Sequence, residues 1–134
     1  MSKLETNGEG TDYKQIVEEA LVEATNTQSW VSVAASEALK AGGKRIRPIL
    51  ALLTCEAISG DYRPAIPVAL AYELAHSASL IQDDIIDESQ VRHSTPTAHA
   101  KYGITRAILI SDMLIFEIFS QIARYKDTKI SKGR

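Results

Sequence analysis

Residues 66–87 read IPVALAYELAHSASLIQDDIID, and the spacing of their apolar positions decides the fold. Ala71, Leu74, Ala78, Ile81 and Ile85 recur at intervals of three and four, which gathers them on one side of a helix. At about 100° per residue from His76, Asp83 falls near −20° and Asp87 near +20°, with Leu80 in the same stripe and Asp84 about 80° away. One side of this helix is core, and the other carries acids.

The same period recurs outward from it. Ile16, Val17, Ala20, Leu21 and Ala24 outline a first helix ending near residues 25–28. Ser29 can cap a second, with Trp30, Val33, Ala34, Ala38 and Leu39 on its apolar side, that stops at Gly42-Gly43. A third is expected from near Pro48 through Ile49, Leu52, Leu53 and Ala57 to Gly60. Beyond residue 87, a polar loop around 89–96 leads to a short helix ending at Gly103, then a last helix over about 105–124. No stretch sustains an alternation of two, so the fold class expected is all-α, a single helical bundle.

Composition narrows the function. The chain has 134 residues, 15 Lys+Arg against 17 Asp+Glu, and a net charge of −2, so it lacks the basic surface that general nucleic-acid binding requires. Its single cysteine, Cys55, allows no intramolecular disulfide and reads as a small core residue, which suits a cytoplasmic protein. Residues 1–12 show no apolar signal segment and read as a flexible leader, residues 13–125 as the folded unit, and residues 126–134 as a polar tail and truncation point. The most apolar run, residues 107–122, is interrupted by Asp112 and Glu117, so no membrane span is expected.

Three acids within five residues near a helix C-terminus repel one another and oppose the helix dipole. Either they form an exposed acidic end paired with lysines, or they hold a hard cation; Mg²⁺ takes a few carboxylate oxygens and completes its shell with water and substrate phosphates. Upstream, Gly42-Gly43-Lys44-Arg45-Ile46-Arg47-Pro48 joins flexible backbone to three cations at a helix start, a composition suited to a diphosphate, with Lys44 and Arg47 spaced to face one ligand. A solvated basic turn is the alternative.

In order, GGKRIRP at 42–48, ELAH at 73–76, LIQDDIID at 80–87, Arg92 and PTAHAKYG at 96–103 resemble the trans-prenyltransferase (polyprenyl diphosphate synthase) family, of the geranylgeranyl diphosphate synthase type. The resemblance covers about residues 13–125 and matches the N-terminal half of that family's all-α isoprenoid synthase bundle. It implies a Mg²⁺-dependent head-to-tail condensation of isopentenyl diphosphate with an allylic prenyl diphosphate. Asp83 and Asp87 match the metal-holding acids, with Asp84 a possible third. Arg92 matches a ligand of the allylic diphosphate. Lys44, Arg47 and His76 match the isopentenyl diphosphate site, and His93 and Ser94 replace its usual Arg-Gly. Ser111-Asp112 stands where Gly-Asp is usual. Ala78 and Ser79, one turn before Asp83, match the positions that set product length, and two small side chains there imply geranylgeranyl or longer products. His99 reads as loop packing. Ile115, Phe116, Ile118 and Phe119 read as core, with a homodimer interface implied by the resemblance. The family's second aspartate-rich motif has no counterpart in this sequence, so a fragment inactive alone is the first expectation, and a short, non-catalytic diphosphate-binding or regulatory subunit the second. A helical interaction module with a decayed pocket is the third.

Overall fold

The computed structural model describes residues 10–41 and 43–125; the expected polar tail, and the leader apart from residues 10–12, lie outside the described residues. Among the described residues six α-helices run in the order α1 (Tyr13–Ala24), α2 (Trp30–Lys40), α3 (Ile46–Ser59), α4 (Ile66–Ile86), α5 (Ala98–Tyr102) and α6 (Ile104–Ile122), with a 3₁₀ turn at Arg63–Ala65 before α4. The expected all-α class is what is observed.

Local chemistry sets the boundaries. The Asp12 carboxylate accepts from the Gln15 amide at 3.0 Å and starts α1, and Ser29 does the same for α2 through the Ser32 amide. Gly60, at φ 79°, ends α3 in the left-handed conformation glycine adopts without penalty. The start of α3 is two residues earlier than the Pro48 signal suggests: Pro48 sits in the first turn, where amide groups lack helical partners in any case. Tyr125 closes the opposite corner, its hydroxyl accepting from the Val68 amide in the first turn of α4 and donating to the Pro64 carbonyl at 2.7 Å.

The long helix α4 lies at the centre, packed chiefly against α6 and α3. Leu70, Leu74, Ala78 and Ile81 meet Ile110 and Leu114 from α6, Leu52 from α3, and Val17 and Leu21 from α1 in one cluster. Burying each such leucine contributes about 1.5–3 kcal/mol. The α2 stripe departs from expectation. Ser32, Ala34, Ala35 and Leu39 are buried, whereas Trp30 is 50 % exposed, its ring under the Arg106 guanidinium at 5.6 Å. The small Ser32 face fits close helix approach; the indole does not. On α6, Ile115 and Ile118 pack on the core, but Phe116 and Phe119 are 71 % and 67 % exposed, so only half of that quartet is core.

The polar loop contains a feature the sequence did not announce. β1 (Val91–Arg92) and β2 (Thr95–Pro96) pair antiparallel, Val91 with Pro96 and Arg92 with Thr95. Between them His93 (φ 49°) and Ser94 (φ 63°) both take left-handed backbone, the pattern of a type I′ hairpin turn. Two-residue strands are too short to show alternation, and His-Ser is not a turn signature.

Candidate active site

The C-terminal turn of α4 sorts the three acids. Asp84 faces inward, its side chain only 7 % exposed, and accepts from Arg92 through both oxygens: Nε lies 3.1 Å from each, and Nη2 is 2.7 Å from Oδ1. The hairpin delivers Arg92 to that position, and the Ser89 amide bonding to the Asp84 carbonyl at 2.9 Å fixes the chain reversal leading into it. Arg92 holds its proton more tightly than an ordinary arginine, first through the hydrogen bond to Asp84, with the fields of Asp84, Asp83 and Asp87 adding to it against a desolvation that opposes. Asp83 and Asp87 are exposed and make no ion pair among the described residues. One turn apart on one face, they offer hard oxygen donors to a cation that keeps water and phosphate in the rest of its shell, so the donor set fits Mg²⁺. Three apparently equivalent aspartates thus divide into one structural and two free.

The basic turn divides in the same way. Arg45 takes φ 57° and turns inward, fully buried, with Nη1 2.6 Å from Glu73 Oε1, Nε 2.8 Å from Glu18 Oε1, and Nη2 donating to the Leu39 carbonyl. Burial alone would loosen its proton, but the hydrogen bonds to Glu18 and Glu73 outweigh that, and its hold is raised. Lys44 and Arg47 are exposed. Spacing could not separate the buried cation from its neighbours. The readable signal was Glu73, a charged residue beside Leu70, Leu74 and Ser77 on the buried side of α4.

Between the basic turn, α4 and the hairpin lies a cavity of about 170 Å³, lined among others by Glu73, His76, Ser77, Asp84, Arg92 and His93. The structure therefore brings His76, Arg92 and His93 together around Asp84. It leaves Lys44, Arg47, Asp83 and Asp87 outside that lining. Arg47 instead borders a shallow groove with Leu50, Thr54 and Tyr72. Ala78 is buried against α6, its carbonyl accepting from the Ser111 hydroxyl at 3.3 Å, whereas Ser79 is exposed and donates to the His76 carbonyl at 2.7 Å. The positions matched to product length therefore face different surroundings. His99 Nδ1 lies 3.2 Å from the Thr97 hydroxyl, which donates to the Ser89 carbonyl, a loop-packing arrangement. Cys55 is half-buried, its thiol directed at the Asp61 carbonyl. Among the described residues no helix is long and apolar enough to cross a membrane.

Residues 28–132 match the family model described as Polyprenyl synthetase. A geranylgeranyl pyrophosphate synthase of Geoglobus acetivorans is 49 % identical over 86 residues, 64 % of this chain and 27 % of that protein. The solved geranylgeranyl pyrophosphate synthetase from the same archaeon superposes with a TM-score of 0.80 at 40 % identity, over 86 % of this chain and 38 % of its own. Geranyltranstransferase from Thermotoga maritima superposes with a TM-score of 0.81 at 37 % identity, over 90 % of this chain and 47 % of its own. In each case the chain spans less than half of its relative. With the match reaching across α2 to α6 and the same helical fold in these solved structures, the chain belongs to the polyprenyl synthetase family.

Proposed function

We propose that the protein acts in the synthesis of prenyl diphosphates, a Mg²⁺-dependent head-to-tail condensation of isopentenyl diphosphate with an allylic diphosphate, in which these residues supply the wall bearing the first acidic motif. The observation that carries this is the sorting of the acids: Asp83 and Asp87 stand exposed beside Arg92, which Asp84 holds in place. In the reaction the allylic C–O bond breaks to a carbocation and free diphosphate, the double bond of isopentenyl diphosphate forms the new C–C bond, and a proton is lost. Bound through Asp83 and Asp87, the metal would supply positive charge to the departing diphosphate. Arg92 would add a fixed cation to the same leaving group, whose charge grows as the bond breaks. Lys44, Arg47 and His76 would bind the second diphosphate, and His93 stands where a permanently charged side chain would hold it more strongly. Ser79, small and exposed, suits a geranylgeranyl or longer product. The exposed Phe116 and Phe119 suit pairing with a second copy, and the free Cys55 suits the cytoplasm.

Calorimetric titration of the chain with farnesyl diphosphate and Mg²⁺, paired with a turnover assay adding isopentenyl diphosphate, tests this. Binding that depends on metal and falls at least about tenfold in Asp83→Ala and Asp87→Ala is expected; variants that bind like the parent refute it. His93 favours one second reading, a non-catalytic diphosphate-binding subunit, which turnover by the chain on adding isopentenyl diphosphate refutes.

A further inference from the structure

Arg45 stands between the two cations assigned to the second diphosphate, yet its side chain turns the other way, fully buried against a Glu73 side chain that is itself 6 % exposed. One guanidinium reaches Glu18 on α1, the Leu39 carbonyl in the last turn of α2 and Glu73 on α4. Its backbone is in the left-handed region, which a residue with a side chain keeps only when its surroundings enforce it. Glu73 lies one turn before His76, and both line the cavity. We infer that the Arg45–Glu73 pair is a positioning device for diphosphate binding: it fixes the turn that carries Lys44 and Arg47 against the helix that carries His76.

The inference rests on the reading of the site proposed above. Its physical basis is that a buried ion pair is a poor way to stabilise a fold, because an apolar pair of equal volume does as well or better; what the planar fork adds is a defined register between the elements it joins. Here the elements joined are the flexible turn after Gly43 and the helix bearing the imidazole. Lys44 and Arg47 are long exposed side chains, and two such cations grip one diphosphate well only if their backbone is already in place.

The test uses the whole chain and inorganic diphosphate without metal ion, so that the cations alone are read by calorimetry, with a thermal melt of each variant. The parent binds, and Lys44→Ala and Arg47→Ala each weaken it. The double variant R45M/E73L keeps the buried volume and is expected to melt near the parent while binding about tenfold more weakly; in that background Lys44→Ala costs little more. If the folded double variant binds like the parent, the pair is only structural and the inference is overturned. Glu73→Gln keeps volume and an acceptor for Arg45 and serves if the double variant fails to fold; measured well below its lowered melting temperature, it should lose affinity severalfold, and unchanged affinity overturns the inference equally. Absence of diphosphate binding by the parent at millimolar concentration overturns the reading of the site and the inference with it, a result distinct from a parent and a double variant that bind alike.

Discussion

Replacing Arg92 by alanine removes the partner of a carboxylate that the fold has withdrawn from water. Exposed pairs contribute about 0–1 kcal/mol, and deleting one partner of a fully buried pair costs about 3–5 kcal/mol. The Asp84–Arg92 pair lies between these limits, with the Asp84 side chain 7 % exposed and the Arg92 side chain 39 % exposed, so water can partly replace the lost donors. Arg92→Ala should therefore cost roughly 2 kcal/mol. Asp84→Asn keeps the volume and one acceptor and should cost about 1 kcal/mol. Since each change removes the same contacts, the double variant should cost clearly less than the sum, with a coupling of about 1 kcal/mol. Urea unfolding followed by circular dichroism measures all four proteins, with the slope checked for constancy so that midpoints report stability. If Arg92→Ala lies within about 0.5 kcal/mol of the parent, or if the two single effects add, the pair is no more than a surface contact and the sorting of the acids loses its physical basis.

Three further outcomes follow from the geometry. Ser94→Gly should raise stability by roughly 1 kcal/mol in the same unfolding assay, because a Cβ at φ 63° is strained and glycine is not; no gain would count against the turn as described. The Glu37 carboxyl is held below its ordinary value by hydrogen bonds from Lys101 and then Tyr102. Its folded-state pKa is depressed, so its contribution is present above the unfolded value and is lost as pH falls through the folded one. Glu37→Gln should accordingly shrink the drop in melting temperature between about pH 6 and pH 3. Phenylalanine at position 78 should destabilise by about 1–3 kcal/mol through overpacking against α6, whereas Ser79→Phe, on the exposed side, should leave stability nearly unchanged and shorten any prenyl product seen by chromatography.

The helices were legible because their signals are local. The α4 pattern placed Ala71, Leu74, Ala78 and Ile81 inward, and all four are buried; Ser29 and Gly60 marked helix ends where the caps are found. Chemistry that depends on which way one side chain turns was not legible. Lys44, Arg45 and Arg47 look alike in sequence, and acceptors on three other helices, the α1 and α4 carboxylates 27 and 28 residues away and the Leu39 carbonyl of α2, draw Arg45 inward. Asp83, Asp84 and Asp87 are separated by a guanidinium that arrives from a hairpin whose strands are too short to show in the pattern. Trp30 reads as core because it is large and apolar, but α2 packs through Ser32, Ala34, Ala35 and Leu39 and leaves the indole half exposed.

The internal pairing of Asp84 has an electroneutral consequence at the end of α4. Arg92 cancels the charge of Asp84 within the fold and leaves those of the other two aspartates, Asp83 and Asp87, facing solvent. A monovalent ion resting there would leave one negative charge turned towards an approaching diphosphate, whereas a divalent ion leaves none. Preference for ion valence would then depend on Asp84 giving its charge to Arg92 inside the fold.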